Sequence, residues 1–313
     1  MAFFYTKNIH CCTILDRIEV RTLKKRLVAL FAIMFSSVFI LAGCKGTTSQ
    51  QTITAVGSSA AQPLVELAGE EFTKSNPNEY VNVQGGGTGT GLSQIQQEAV
   101  NIGNSDLYAE QKKDIDATKL VDHRIAAVGM VPVVNKDVKV KSLTLKQLKQ
   151  IFSGQVKNWK QVGGQDLPIT IINRADGSGT RSSFESDVMA GTPFVRAQEQ
   201  DSSGMVRQIV YNTAGAISYL AMPYLNDTVK TINVDGVKPT IENIETNKWK
   251  IWSYEHLYTN GKPTGMTKRF LDFIMTDEVQ KNVVKKMNYV PMKDMQYQKD
   301  YKGNVTPVSK GVK

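Results

Sequence analysis

Cysteine, histidine and long apolar runs are all scarce in this chain of 313 residues. Its 3 cysteines are Cys11, Cys12 and Cys44, too few and too N-terminal for a disulfide framework. Beyond Cys44 there is no thiol, which excludes a cysteine nucleophile or redox pair in the folded part. The 3 histidines, His10, His123 and His256, show no His-x-x-x-His spacing, so a zinc site lacks its parts. The longest apolar stretch, Leu27 to Ala42, has 16 residues, short of the ~20 that a spanning helix needs. Repeats of fixed period and low-complexity tracts are missing as well, which excludes a solenoid. A 41% apolar content in turn excludes a disordered polymer and allows one large or two mid-sized domains.

What is present begins with charge. Lys and Arg number 38 against 29 Asp and Glu, a formal +9, which at first suggests nucleic acid or an anionic membrane. Its location says otherwise. Arg21, Lys24, Lys25 and Arg26 precede the apolar stretch, which ends in Leu41-Ala42-Gly43-Cys44 and a polar run. Basic flank, short apolar centre and small residues make residues 1–43 a secretory signal. Leu-Ala-Gly-Cys resembles the bacterial lipobox, which implies lipidation of Cys44 and a tether over 44–51. The competing reading is an uncleaved anchor helix. Residues 1–19 sit oddly before a complete signal, so translation is expected to start near Val20 or Leu23. Removing the leader leaves the body at +5, with no basic run interleaved with aromatics and hence no nucleic-acid partner.

In the body, β-like runs alternate with helix-like ones. Strands are expected at Thr52–Val56, Tyr80–Val83, Asn101–Asn104 and Leu167–Asn173. Helices are expected at Pro63–Phe72, Gly91–Ala99, Leu145–Phe152, Ser182–Met189, Lys268–Met275 and Glu278–Met287. That alternation predicts an α/β fold with a mixed, mostly parallel sheet flanked by helices. The long extended segments Ile125–Asn135 and Ile251–Tyr258 suit two crossings between domains. They predict a discontinuous first domain (52–130 plus 260–313) and an inserted second one (136–250), with crossings at 131–135 and 251–259.

Three small-residue turns each follow a strand and open a helix: Gly57–Pro63, Gly85–Gly91 and Asp176–Thr180. Glycine lets backbone approach a ligand, hydroxyls donate, and a helix N-terminus presents free N–H groups, so such turns suit an anion. A single one is an ordinary N-cap; three in one α/β chain point to a ligand site at the carboxyl ends of strands. Nucleotide motifs fail on residues. No Lys follows the glycines of 85–91 as a P-loop requires, and Thr90 stands where a dinucleotide fingerprint needs Gly. A nucleophile elbow at Ser178 would need glycines where Asp176 and Thr180 stand. No cofactor motif remains.

Asp106 follows a short strand on the same sheet edge. A carboxylate among anion-binding dipoles is tolerable if the ligand brings a proton, as phosphate does and sulfate does not. A helix cap or solvated loop is the alternative. Arg174 and Asp176, two residues apart, are expected either to pair and steady the third turn or to form a plain surface pair.

These residues carry a resemblance. Leu41–Cys44, Gly57–Pro63, Gln84–Gly91, Asn101–Asp106, Ile151–Gly154 with Asn158-Trp159, and above all Arg174–Thr180 resemble the phosphate-binding lipoproteins of bacterial phosphate ABC transporters. The resemblance implies a two-domain periplasmic-binding-protein fold of type II, with ligand in the interdomain cleft. It implies phosphate contacts from Thr88, Asp106, Ser178, Gly179 and Thr180, with Arg174 beside them. Where some members present a hydroxyl in the first turn this chain has Ala61, leaving Ser59 or the backbone of Ala60 to Gln62 as the contact. Ser218 stands where Gly is common. The implied partners are inorganic phosphate, permease subunits and, through Cys44, a membrane, at an extracytoplasmic and Gram-positive surface. The implied protein catalyses nothing. Rivals are a sulfate or molybdate receptor, a secreted phosphatase, and an adhesin.

Overall fold

The structure is a computed structural model that describes residues 50–309, so the expectations for the leader and for lipidation at Cys44 lie outside the described residues. The chain opens with β1 (Gln51–Gly57), α1 (Gln62–Ser75), β2 (Glu79–Gly85), α2 (Thr88–Gln96) and β3 (Ile102–Ser105). Next come β4 (Leu120–Val134), β5 (Ser142–Leu143), α3 (Leu145–Phe152), β6 (Thr170–Arg174) and α4 (Gly179–Phe184). They are followed by β7 (Gln198–Gln200), α5 (Ser203–Asn212), β8 (Ala216–Ala221), β9 (Lys230–Thr231) and β10 (Asn233–Val234). The chain continues through α6 (Ile241–Glu245), β11 (Trp252–Asn260), α7 (Gly265–Ile274) and β12 (Val290–Pro291), and ends in the hairpin β13 (Tyr297–Lys299) and β14 (Val305–Pro307).

Local chemistry explains most of these elements. Pro63 lies in the first turn of α1, where its missing N–H has no intrahelical partner to lose, and Leu64, Val65, Ala68 and Phe72 form its buried face. Thr144 and Gln147 cap each other's backbone at the start of α3, which spans the expected Leu145–Phe152. The apolar end of β4, Ile125–Val134, is buried throughout, as a strand covered on both faces should be.

The main sheet runs β2-β1-β3-β11-β4-β8-β6-β7, with β9 and β12 also paired to β4. Its outer pairs are parallel, as expected of strand-helix-strand units. Its centre is not: β11 runs antiparallel to β3 and β4, and β4 antiparallel to β8. The sheet is therefore mixed, as expected, with its parallel pairs at the two sides and its antiparallel pairs at the centre. The physical reason is the two long strands, which cross the middle in opposite directions. β4 pairs with β11 as far as Gly129 and with β8 from Met130 onward.

Two helices start earlier than their sequence pattern suggests. α2 begins at Thr88 rather than Gly91 because only Gly86 and Gly87 in that run need positive φ. Gly91 is thereby taken into the helix, where a Cβ would sit 2.6 Å from the Val56 and Asn104 carbonyl oxygens. The third turn likewise enters α4 at Gly179, and a turn of π-helix continues it over Glu185–Met189. Both changes bring helix N-termini up to the strand ends.

Candidate functional site

Five segments meet at one edge of the sheet: the turn after β1, the start of α2, the end of β3, the loop from β6 into α4, and the loop from β7 into α5. The side chains that line the meeting point are polar yet sealed from solvent. Ser58, Ser59, Thr88, Asp106, Arg174, Ser178, Thr180 and Ser203 are each at most 4% exposed.

Asp106 is the centre of one cluster. Its Oδ1 accepts from Ser58 Oγ, and its Oδ2 accepts from Thr180 Oγ1 at 2.8 Å. The Asp106 backbone N–H donates to Thr88 Oγ1 at 3.0 Å. Gly179 closes over the pair: a Cβ there would lie 2.3 Å from Thr88 Oγ1 and 2.8 Å from Asp106 Cβ, so no other residue fits. The second and third turns also touch directly, through Gly89 N–H donating to the Gly177 carbonyl at 3.1 Å.

Arg174 is the centre of the other cluster. Its Nη2 donates to Ser59 Oγ at 3.1 Å and to the Asp201 carbonyl at 2.6 Å. Its Nη1 donates to Ser203 Oγ at 3.0 Å, and Nε to the Gln200 carbonyl at 3.2 Å. Burial pushes its pKa below the ordinary value, while Asp106, Tyr219, Tyr224 and Asp201 pull it back up. A guanidinium remains charged through such shifts. One buried cation thus faces one buried carboxylate, within a shell of hydroxyls and backbone dipoles.

The structure brings Ser59, Ala60, Ala61, Thr88, Asp106, Arg174, Ser178, Gly179 and Thr180 together, as the three-turn reading expects. One pairing is corrected. Arg174 does not pair with Asp176: its donors go to the partners above, while Asp176 is exposed at the tip of the turn. Arg174 ends a strand whose last three residues are buried, and its guanidinium reaches the 200–203 segment and Ser59 rather than the tip of the turn. Two backbone groups also have partners of their own. Ala60 and Ala61 N–H donate to Ser58 Oγ at 2.9 and 3.2 Å. Ser178 caps α4, accepting from Arg181 N–H at 3.2 Å.

Several site residues escaped the sequence reading. Ser58 is the first hydroxyl of a turn in which attention fell on Ser59. Ser203 opens α5 after Asp201-Ser202, a small-residue turn of the same kind as the other three, and Ser59 Oγ lies 3.1 Å from its Oγ. Tyr224 Oη donates to the Ser59 carbonyl at 2.6 Å, and Tyr289 Oη to the Ala60 carbonyl. Burial pushes the Tyr224 phenol up to about 12, so it serves as a fixed donor. Glu255 on β11 is fully buried, and no sequence signal marked it.

Asp106 also forms part of the wall of a cavity of about 180 Å³ shared with Tyr108, Ser182, Asp187, Trp252 and His256. Among the described residues no group of three His, Cys, Asp or Glu could hold a metal ion. No helix among them is long and apolar enough to cross a membrane.

The sequence matches the PBP superfamily domain over residues 43–278. It is 43% identical over 297 residues to the phosphate-binding protein PstS of Bacillus subtilis, covering 90% of this chain and 99% of that one. The chain belongs to the PBP superfamily. Its fold is shared with a Clostridium perfringens ABC-transporter substrate-binding protein solved with bound phosphate, at TM-score 0.73 and 30% identity. That likeness covers 77% of this chain and 100% of that one. An ABC-type phosphate transport receptor from Vibrio cholerae is similar at TM-score 0.62 and 28% identity, covering 76% and 99%. Family and fold therefore agree with the periplasmic-binding-protein architecture that the resemblance implies.

Proposed function

We propose that this chain is an extracytoplasmic receptor that captures inorganic phosphate and delivers it to an ABC-transporter permease. It catalyses no reaction. The observation that carries the reading is Asp106: a carboxylate held at the centre of hydroxyl donors, where a protonated oxyanion can give it a hydrogen bond. Phosphate near neutral pH keeps a P–O–H group for that bond, and sulfate has none. Ser58, Ser59, Thr88, Ser178 and Thr180 supply hydroxyls that can turn their hydrogens from protein to ligand. Gly179 supplies a backbone N–H group at a helix start, and the Ala60 and Ala61 N–H groups, which donate to Ser58 Oγ, become available when that hydroxyl turns to the ligand. Arg174 supplies the one full positive charge, held in place by the 200–203 loop. Many short hydrogen bonds of this kind offset the desolvation of a multiply charged anion.

In this reading the lobes 52–130 plus 260–313 and 136–250 close on the ligand, with 131–135 and 251–259 as the crossings. The hydrogen bonds from Thr180 to Asp106 and from Arg174 to Ser59 join those two lobes directly and support it. Asp176, exposed beside the site, lies on the rim. Cys44 carries the lipid that holds the receptor at a cell membrane, on a Gram-positive surface. Intact-mass measurement of the mature protein checks this by the added diacylglycerol and its loss in Cys44→Ser.

The test is calorimetry on the full chain in mild detergent, titrated with phosphate and then with sulfate. Phosphate should give saturable heat and sulfate far less. Equal heats, or no phosphate heat, would remove the reading. Asp106→Asn should weaken phosphate and narrow its margin over sulfate; an unchanged ratio would take Asp106 out of the selectivity.

A further inference from the structure

Glu255 is fully buried, and neither of its carboxyl oxygens has a hydrogen-bond donor in place. Its surroundings are settled by strand register. On β11 His256 stands opposite Ser105 of β3, which sets Glu255 beside Asp106, the next residue along. The two carboxyl groups face each other, and no charged lysine or arginine bridges them. Two ionised carboxylates in such a place repel strongly, so one proton belongs to the pair.

The donors decide which member holds it. Asp106 accepts from the Ser58 and Thr180 hydroxyls, and Arg174 acts on it favourably. Both Asp106 oxygens therefore stand as hydrogen-bond acceptors. Around Glu255 the hydrogens are already committed elsewhere. Tyr224 and Tyr289, the other titratable groups that act on it, donate to the Ser59 and Ala60 carbonyls. The Arg174 hydrogens go to Gln200, Asp201, Ser203 and Ser59.

We propose that Glu255 is a neutral carboxylic acid that donates its proton to Asp106 and so positions Asp106 as the ionised acceptor of the ligand. Burial, with Asp106 next to it, holds the Glu255 carboxyl well above the usual carboxylate range, in keeping with this assignment. The arrangement solves an electrostatic difficulty. The site needs one negative charge to select a protonated anion, and a second would expel any anion. Glu255 touches Asp106 and not the ligand, so it is a positioning residue. The location of the proton stands on the structure alone; the positioning role rests on the phosphate reading.

Infrared difference spectroscopy of the full chain tests the proton directly. At neutral pH the wild type should show the carbonyl band of a buried protonated acid, and Glu255→Gln should lack it. Calorimetry tests the positioning. Gln keeps an N–H donor of the same length and should bind phosphate within about threefold of wild type, whereas Glu255→Met, which has none, should bind about tenfold more weakly. A band that survives in Glu255→Gln, or a Met variant that binds like wild type, would overturn the proposal. Should the Met variant fail to fold, the band and the Gln variant still decide. Wild-type protein that shows the band yet takes up no phosphate would sink the phosphate reading and the positioning role together, leaving the protonated acid standing.

Discussion

Thr180 Oγ1 donates to Asp106 Oδ2 at 2.8 Å across 74 residues of sequence, joining the loop that opens α4 to the end of β3. A hydroxyl carries one hydrogen, so in the phosphate reading Thr180 turns it from the carboxylate to the anion bound beside it. Thr180→Val preserves shape and removes the donor. Phosphate should then bind about ten- to a hundredfold more weakly, the range expected for one hydrogen bond to a charged group. Calorimetry measures this, and a change within threefold would place Thr180 outside the ligand's contacts.

Arg174 makes four hydrogen bonds while 1% exposed, and these tie the 200–203 loop to the turn after β1. A lysine keeps the charge but offers one point donor in place of a planar fork. Arg174→Lys should therefore leave the Asp201 and Gln200 carbonyls and the Ser59 and Ser203 hydroxyls short of donors. The expected loss of stability is about 2–4 kcal/mol, read by urea denaturation. A loss below about 0.5 kcal/mol would mean that water replaces the guanidinium without penalty.

How far the site was readable depends on the range of its interactions. The glycine-hydroxyl turns could be found because each is a local demand: a sharp bend, a cap, a close approach at Gly91 or Gly179. Asp106 could be found for the same reason, as a carboxylate at a strand end. Arg174 was identified but given the wrong partner, because the reading paired it with Asp176, two residues away, and its acceptors come from residues 200–203 and 59. Ser203 and Glu255 depend on long-range contact alone. Nothing within ten residues of Glu255 tells a reader that strand register sets it next to Asp106. Where the antiparallel strands of the mixed sheet lie was unreadable for a related cause. The strand-helix alternation is local, whereas the direction of β11 is fixed by where the chain must return.

Ser218 offers a test of packing within the sheet. It lies on β8 opposite Val133, fully buried, with a hydroxyl that has no hydrogen-bond partner. Such a group gives up its hydration on folding and gains nothing in return. Ser218→Ala should leave the backbone ladder intact and raise stability by up to about 1 kcal/mol. Thermal unfolding reports the sign, and a fall in stability would show that the hydroxyl holds a buried water.

His123 predicts a dependence on acid. Its Nε2 lies 3.1 Å from Thr259 Oγ1, and burial lowers its pKa from 6.5, with Asp122 and Asp272 only partly restoring it. A histidine depressed in the folded state takes up its proton first in the unfolded chain. The unfolded state therefore binds more protons just below the ordinary value, and stability falls as pH drops from about 6.5 toward the lowered folded value. Below both values the loss is complete and constant; above 6.5 it is absent. His123→Gln keeps a polar group for Thr259 and cannot titrate. Denaturant unfolding from pH 7.5 down to about 5 should thus show a shallower decline for the variant than for the wild type. Parallel declines would mean that His123 keeps an ordinary pKa, and that the carboxylates carry the whole acid sensitivity.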